Sequence, residues 1–302
     1  MSPLQGAFAR PFGAVAGAAS LNDLLALTKP RVVALIVFTA AIGMFLAAPG
    51  AIAASTLVFA LAGVALVAAS SAAFNCILER RKDALMARTR GRPLPSGRLT
   101  AREALIFAAG TAIAGLAILY GLVNPLTMVL ALATMVGYAG IYTLLLKPTT
   151  PQSIVIGGAA GAMPPVLGAT AVTGHLTADA LVLFLIVFLW TPPHFWSLAL
   201  YRRADYAAVG MPMLPVTHGE RFTVTRVLQY TFVLVAASLL PWLTGMSGIA
   251  YLVAATMLGA GFIAHASRMY VDYTHGHAHA AFRYSIAYLS LLFTALLLDH
   301  SL

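Results

Sequence analysis

Charged residues are scarce in this 302-residue chain: Asp, Glu, Lys and Arg together make up only 9% of it. A soluble globular domain carries about a quarter charged residues, so this composition excludes an ordinary soluble protein. Hydrophobic residues instead reach 61%, and the mean hydropathy is +0.90. These values predict an integral membrane protein.

Cysteine and targeting signals are lacking too. The single cysteine, Cys76, excludes an intramolecular disulfide and is interpreted as a packing residue. Residues 1–22 contain one Arg and no basic segment followed by a hydrophobic stretch and a cleavage site, so no signal peptide is predicted. A mitochondrial presequence would be richer in Arg, which favours the inner membrane of a bacterium.

Nine apolar runs of transmembrane length follow one another along the chain. They lie near residues 32–48, 54–78, 104–121, 125–145, 153–173, 178–200, 227–245, 247–267 and 282–299. We therefore predict an all-α integral membrane protein in which nine transmembrane helices surround a central cavity that opens to the cytoplasmic side. Residues 1–26 would form an N-terminal cytoplasmic segment, and residues 27–302 the transmembrane domain.

The basic residues predict the orientation of these helices. The chain has 18 Lys and Arg against 9 Asp and Glu, a net charge of +9. All the basic residues lie before the first span or in loops that follow even-numbered spans, and the positive-inside rule puts those segments in the cytoplasm. The N-terminus is thus predicted to be cytoplasmic and the C-terminus periplasmic. Basic charge confined to short loops suits anionic lipids and an anionic substrate, and no nucleic acid is expected as a partner.

The end of the second span carries an unusual polar pattern. Asn75, Glu79 and Asp83 are spaced four residues apart, which puts them on one face of a helix. Carboxylates are costly near a membrane and are usually functional there. Two carboxylates and an amide oxygen are ligands that Mg²⁺ uses together with substrate phosphates, so we predict a metal–diphosphate site. Arginines suited to phosphate oxygens follow in the next loop, at Arg88, Arg90 and Arg92.

A second polar stripe ends the sixth span. His194, Ser197, Tyr201 and Asp205 recur at helical spacing, in the place in the second half of the chain that the first pattern occupies in the first half. The two polar helix ends are therefore predicted to converge on one cytoplasmic cavity. For His194, a contact with substrate and a purely structural role as a buried, hydrogen-bonded side chain both stay open.

Four other features are weaker signals. Pro192-Pro193 should kink the sixth span. The small residues from Gly157 to Gly161 predict close helix packing. Lys147 either fixes the topology or contacts diphosphate, and both interpretations stay open. The tract His275-Gly-His277-Ala-His279 is interpreted as a polar, solvated loop rather than a metal site.

The pattern Asn75-x3-Glu79-x3-Asp83, followed by Met86-x-Arg88-Thr89-x2-Arg92-Pro93, resembles the first signature of the UbiA-type intramembrane prenyltransferases. Further stretches resemble the branch of that superfamily that farnesylates protohaem IX. They are residues 27–31 and 150–158, residues 191–196 with 205–206 and 211–216, and residues 282–289. The resemblance covers nearly the whole chain from about residue 24 onwards.

This resemblance implies a fold, a reaction and a set of site residues. The reaction is transfer of a farnesyl group from farnesyl diphosphate to a vinyl group of haem b, giving haem O, within the lipid bilayer. Haem A synthase and terminal oxidase assembly proteins are the implied protein partners. The resemblance assigns catalysis and Mg²⁺ binding to Asn75, Glu79, Asp83 and Asp205. It assigns diphosphate binding to Arg88, Arg92, Lys147 and Arg31, and haem binding to His194, Trp196 and Tyr201.

Two alternatives stay open. A prenyltransferase of the same fold could act on another acceptor, such as a quinone precursor or a chlorophyllide, and the identity of the prenylated acceptor discriminates between these reactions. A transporter would also suit nine spans and an internal repeat. Transporters, however, keep polar groups near the middle of the bilayer, whereas the polar groups of this chain cluster at one face.

Overall fold

Nine helices long and apolar enough to cross a membrane run through residues 20–300, the part of the chain that the computed structural model describes. In chain order they are α1 (Pro30–Ala47), α2 (Ala54–Leu85), α3 (Ala101–Leu122), α4 (Pro125–Thr149), α5 (Ser153–Thr173), α6 (Ala178–Tyr201), α7 (Gly219–Leu243), α8 (Ile249–Val271) and α9 (His275–His300). None of the described residues forms a strand. The predicted all-helical membrane fold, with nine spans, is confirmed.

Consecutive helices pack against each other around the bundle. α2 lies along α3, α6 lies between α5 and α7, and α8 lies along α9. The last helix also contacts α6 and α1, which brings the two halves of the chain together. Because each of these helices is long enough to cross the membrane once, successive helices run in opposite directions, and the ends of α2, α4, α6 and α8 share one face of the bundle.

Glycines allow the closest helix crossing. A side chain at Gly168 of α5 would collide with the backbone of α1 at Ala40, and a side chain at Gly43 would collide with Pro165. The predicted close packing of the small residues in α5 is confirmed for Gly157, which lies against a tyrosine ring of α4. Without Cβ atoms at these positions, α1 and α4 can approach α5 closely enough for tight van der Waals packing.

The helix α4 changes its winding part of the way along. Residues Pro125–Val136 are α-helical, residues Gly137–Leu146 are π-helical, and residues Lys147–Thr149 form a final α-helical turn. In the π-helical part, Thr143 Oγ1 donates to the carbonyl of Tyr138, five residues earlier, over 2.8 Å. Such wide turns are rare and often mark functional sites. Here the wide turn places Thr143 against the polar face of α2.

Several helices are longer than the sequence predicted. α2 continues to Leu85 and α7 begins at Gly219. The prediction of a loop at His275, His277 and His279 is wrong, because these residues form the first turns of α9. The hydroxyl of Thr274 accepts a hydrogen bond from the backbone N–H of His277 over 3.1 Å and so caps the start of the helix. Hydropathy missed these turns because they lie beyond the apolar part of the span.

The predicted N-terminal segment falls mostly on residues 1–19, which lie outside the described residues, and its last part forms a short helix, Leu21–Leu27. α6 runs through Pro192 and Pro193 as one helix. The predicted central cavity stays a prediction. One depression of about 330 Å³ is lined by residues between 267 and 277, and another of about 310 Å³ is lined by residues 48–56 together with Val172, so neither includes the polar face of α2.

Candidate active site

The last three turns of α2 bury a polar face. Asn75, Glu79 and Asp83 are each less than a tenth exposed. The amide of Asn75 donates through Nδ2 to Glu79 Oε2 over 3.1 Å and to Thr143 Oγ1 over 3.2 Å. The spacing of four residues has therefore produced the shared face that the sequence predicted, and the hydrogen bond that Asn75 donates to Thr143 of α4 holds its first member in place.

Each member of this polar face is bonded to a cation from a different segment of the chain. Lys29 Nζ donates to Asn75 Oδ1 over 2.7 Å, and Lys147 Nζ lies 2.5 Å from Glu79 Oε1. Arg92 Nη1 lies 2.7 Å from Asp83 Oδ2. Three cations thus surround two carboxylates, and the excess positive charge favours an anion. We call these six side chains the polar cluster.

Lys29 is the member of the polar cluster that the sequence did not assign to the site. Its backbone is left-handed, with φ 51° and ψ 62°, and it immediately precedes Pro30 at the start of α1. A non-glycine residue in this region is strained, and such strain often accompanies function. Burial lowers the pKa of Lys29 below its ordinary value.

The sequence had assigned Arg31 instead. Arg31 is exposed, and among residues 20–300 no hydrogen bond or ion pair joins it to the polar cluster. The difference follows from the backbone, because the left-handed turn at Lys29 directs this side chain inward, whereas Arg31 already lies on the outer surface of α1. The triplet Lys-Pro-Arg alone does not show which of its two cations faces the bundle.

The loop after α2 is tied to the same helix. The hydroxyl of Thr89 is buried and donates to the carbonyl of Asp83 over 2.8 Å, which places the following Arg92 beside the Asp83 carboxylate. Arg98 pairs with Asp23 of the short N-terminal helix over 2.9 Å and holds the far end of the loop. Arg88 is exposed and lies within electrostatic range of Tyr201, at the end of α6.

Asp205 is the residue that the sequence predicts as a further metal ligand, on a different helix from Asp83. It lies on a short helix, Arg203–Ala208, directly after α6 and therefore at the same face of the bundle as Asp83. Its Oδ2 is buried without a hydrogen-bond partner, since Arg202 Nη1 is 3.8 Å away. A buried carboxylate oxygen that accepts no hydrogen bond is costly, so a cationic ligand would stabilise it further than the ion pair with Arg202 does.

The donor atoms of this region fit Mg²⁺. They are carboxylate and amide oxygens, the hard ligands that Mg²⁺ prefers. In the described part of the chain, no group of three or more His, Cys, Asp or Glu side chains is arranged to hold a metal by itself. This arrangement fits the usual magnesium site, in which one or two carboxylates act together with substrate phosphates.

His194 lies on the side of α6 that faces α9. Its ring stacks on Trp190 with centroids 4.1 Å apart and on Phe282 with centroids 4.7 Å apart, and its Nδ1 lies 2.7 Å from Ser285 Oγ. Tyr201 reaches the same side, because its ring meets Phe282 edge to face at 6.0 Å. The structure therefore brings His194 and Tyr201 together through one phenylalanine of α9.

Trp196 is not brought to that side. Two residues turn an α-helix through about 200°, so Trp196 points away from His194. It is fully buried and meets the ring of Tyr230 in α7 at 5.2 Å. Ser197 is also buried, and its hydroxyl donates to the carbonyl of Pro193 over 2.7 Å, which is a structural contact inside α6.

The chain matches a known family. Residues 36–294 match the model of the UbiA prenyltransferase family, and this chain belongs to that family and is a multi-pass membrane prenyltransferase. Within it, a relative from Nitrosomonas eutropha is 61% identical over 93% of this chain and 94% of its own length. One from Nitrosospira multiformis is 59% identical over 94% and 95%. Both are named protoheme IX farnesyltransferase, which confirms the resemblance to that branch.

Solved structures share the fold at low sequence identity. A structure described as digeranylgeranylglyceryl phosphate synthase matches with a TM-score of 0.77 and 20% identity, over 93% of this chain and 98% of its own. A UbiA homologue from Archaeoglobus fulgidus, bound to DMAPP and Mg²⁺, matches with a TM-score of 0.63 and 15% identity, over 91% and 99%. At these identities the likeness extends to the helix arrangement alone.

Proposed function

We propose that this prenyltransferase moves a farnesyl group from farnesyl diphosphate to a vinyl group of haem b and so makes haem O. One observation carries the proposal: a buried face of two carboxylates and an amide, surrounded by three cations, in a chain about 60% identical to relatives named for this reaction. The homologue from Archaeoglobus fulgidus that binds DMAPP and Mg²⁺ supports the diphosphate half of the proposal.

We assign the binding of the diphosphate group to the polar cluster. Lys29, Arg92 and Lys147 would turn from their present partners to phosphate oxygens, and each charge-assisted hydrogen bond shortens and strengthens in such a water-poor site. Asn75, Glu79, Asp83 and Asp205 would hold Mg²⁺ through their side-chain oxygens, and the ion would help to neutralise the leaving diphosphate. Lys147 would release the Glu79 carboxylate and Arg92 the Asp83 carboxylate, and both would be free for that role.

We assign the binding of haem b to the region around His194. Glu79 lies six residues before the end of α2, and His194 lies seven before the end of α6, which is about 9 and 10 Å along helices that rise 1.5 Å per residue. The two sites are therefore at similar depth below one face of the bundle. The rings of Trp190, Phe195 and Phe282 around His194 suit the flat, apolar surface of a porphyrin.

The bonds change in a simple order. The bond between C1 of the farnesyl chain and the diphosphate oxygen breaks, and the oxygen keeps the electron pair. The vinyl group of haem b gives its electron pair to the allylic cation and forms the new carbon–carbon bond. The cation left beside the porphyrin takes a water oxygen and loses a proton, which leaves a hydroxyl group. The apolar bundle keeps other water from the first cation.

The test is the identity of the acceptor. Purified protein in detergent is supplied with Mg²⁺, farnesyl diphosphate and one acceptor at a time: haem b, an aromatic quinone precursor, or a chlorophyllide. We expect a product only with haem b, heavier by one farnesyl group and one hydroxyl group. Prenylation of either other acceptor in place of haem b would contradict the proposal, while leaving the chain a prenyltransferase.

The cellular setting belongs to the same proposal. The partition of Lys and Arg supports insertion into a bacterial inner membrane with the polar cluster on the cytoplasmic side and the C-terminus in the periplasm. The residues from 27 onwards would act as one transmembrane domain. Haem A synthase and oxidase assembly proteins, which would consume haem O, stay predicted partners.

A further inference from the structure

One serine of α9 holds two aromatic side chains of α6. Trp190 Nε1 donates to the backbone carbonyl of Ser285 over 2.7 Å, and His194 Nδ1 lies 2.7 Å from the hydroxyl of the same serine. Trp190 and His194 are one helical turn apart, and their rings are stacked at an angle of 19°. The plane of the imidazole is therefore fixed from two directions, by stacking and by hydrogen bonding.

The position of the hydroxyl proton of Ser285 decides which nitrogen of His194 carries hydrogen. Ser285 Oγ lies 2.6 Å from the carbonyl oxygen of Phe282. Two oxygens at that distance repel each other unless a proton lies between them, and the carbonyl has none to give. The serine therefore donates to Phe282, and its remaining lone pairs accept a hydrogen bond from N–H at His194 Nδ1.

The other nitrogen is left free. A neutral imidazole with hydrogen on Nδ1 has its lone pair on Nε2. Within residues 20–300, no hydrogen bond reaches Nε2 of His194, although the residue is only 8% exposed. An acceptor nitrogen that no protein group engages is available to a ligand.

We propose that Ser285 is a positioning residue that fixes His194 as the Nδ1–H tautomer and so presents Nε2 to the iron of the haem acceptor. Metal-binding histidines commonly donate from their second nitrogen to a neighbouring oxygen, which sets both the tautomer and the ring orientation. The hydrogen bonds that join His194 to Ser285 and Ser285 to the carbonyl of Phe282 form such an arrangement. This inference rests on the proposed haem acceptor, and it adds a residue that touches neither substrate.

The tautomer can be measured directly. Long-range ¹H–¹⁵N NMR of protein labelled with ¹⁵N-histidine in detergent distinguishes the two tautomers, and His194→Gln identifies the signal. We expect Nδ1–H in the wild type, in Ser285→Thr, which keeps the hydroxyl, and in Ser290→Ala, a matched control on the same helix. Ser285→Ala should show a mixture with Nε2–H. Nε2–H in the wild type, or no change in Ser285→Ala, would overturn the proposal.

Haem binding provides a second readout. Titration of ferric haem b, followed by its Soret band, should show affinity about tenfold or more weaker in Ser285→Ala, with binding restored in Ser285→Thr. Equal affinity in the wild type and Ser285→Ala would overturn the role of Ser285 toward iron. A wild-type protein that binds no haem b would instead overturn the proposed acceptor, and the tautomer measurement would still test the hydrogen bond by itself.

Discussion

Lys29 donates a hydrogen bond from Nζ to Asn75 Oδ1 over 2.7 Å, across 46 positions of sequence. The contact joins the left-handed turn before α1 to the polar face of α2, and it brings a third cation into a site that otherwise holds Arg92 and Lys147. Because the cations come from three separate segments, the site is complete only when the start of α1, the loop after α2 and the end of α4 are packed together.

Replacement of Lys29 by Ala tests its assignment to the leaving group. A hydrogen bond to a charged group contributes about 1.5–3 kcal/mol, so KM for farnesyl diphosphate should rise by roughly tenfold or more in Lys29→Ala. Steady-state kinetics with haem b in excess measures the change. Lys82→Ala is the matched control, because Lys82 is a lysine in the last turn of α2 that is not part of the polar cluster. An equal change in both variants would mean that only overall charge matters.

Removal of divalent metal tests the role assigned to the oxygens of the polar cluster. With EDTA present, release of diphosphate should fall to the background rate, and added Mg²⁺ should restore it, because the carboxylates alone repel the leaving diphosphate. The released diphosphate is measured by a coupled phosphate assay. Full activity in EDTA would show that Lys29, Arg92 and Lys147 neutralise the leaving group without a metal.

Replacement of Asp299 should affect the stability of the protein rather than its catalytic activity. Its carboxylate accepts hydrogen bonds from the backbone N–H groups of Gly248 and, over 3.1 Å, Tyr251, at the start of α8. Asp299→Ala should lower the free energy of unfolding by about 1–2 kcal/mol and lower the apparent Tm in detergent, since a helix start loses its cap. Asp179→Ala removes an exposed carboxylate at the start of α6, and it should shift Tm less. Equal shifts would argue against capping by Asp299.

Much of this architecture could be predicted from the sequence because membrane helices follow strong physical rules. Length and hydropathy define nine spans, and a spacing of four residues is enough to place Asn75, Glu79 and Asp83 on one buried face. These features depend on the geometry of one regular helix. They need no knowledge of how the helices are arranged.

Features that depend on irregular backbone or on contacts between helices could not be predicted. The π-helical turn at Gly137–Leu146 cannot be recognised from the periodicity of the apolar residues, yet it places Thr143 beside Asn75. The left-handed backbone at Lys29 reverses the choice between that residue and Arg31. Ser285 lies 91 positions from His194, so their hydrogen bond appears only when α9 packs on α6.

The most direct test of the central claim is the haem product made by Asp83→Asn in membranes supplied with Mg²⁺, farnesyl diphosphate and haem b. The variant keeps the shape of the side chain but removes the charge, and Asp272→Asn, at an exposed carboxylate, is its matched control. Mass analysis of the pigments should find haem O with the wild type and with Asp272→Asn, and a loss of at least about a hundredfold with Asp83→Asn, as expected when about 2.7 kcal/mol or more of transition-state stabilisation is removed. Haem O at the wild-type rate from Asp83→Asn, with the protein folded and inserted, would contradict the account.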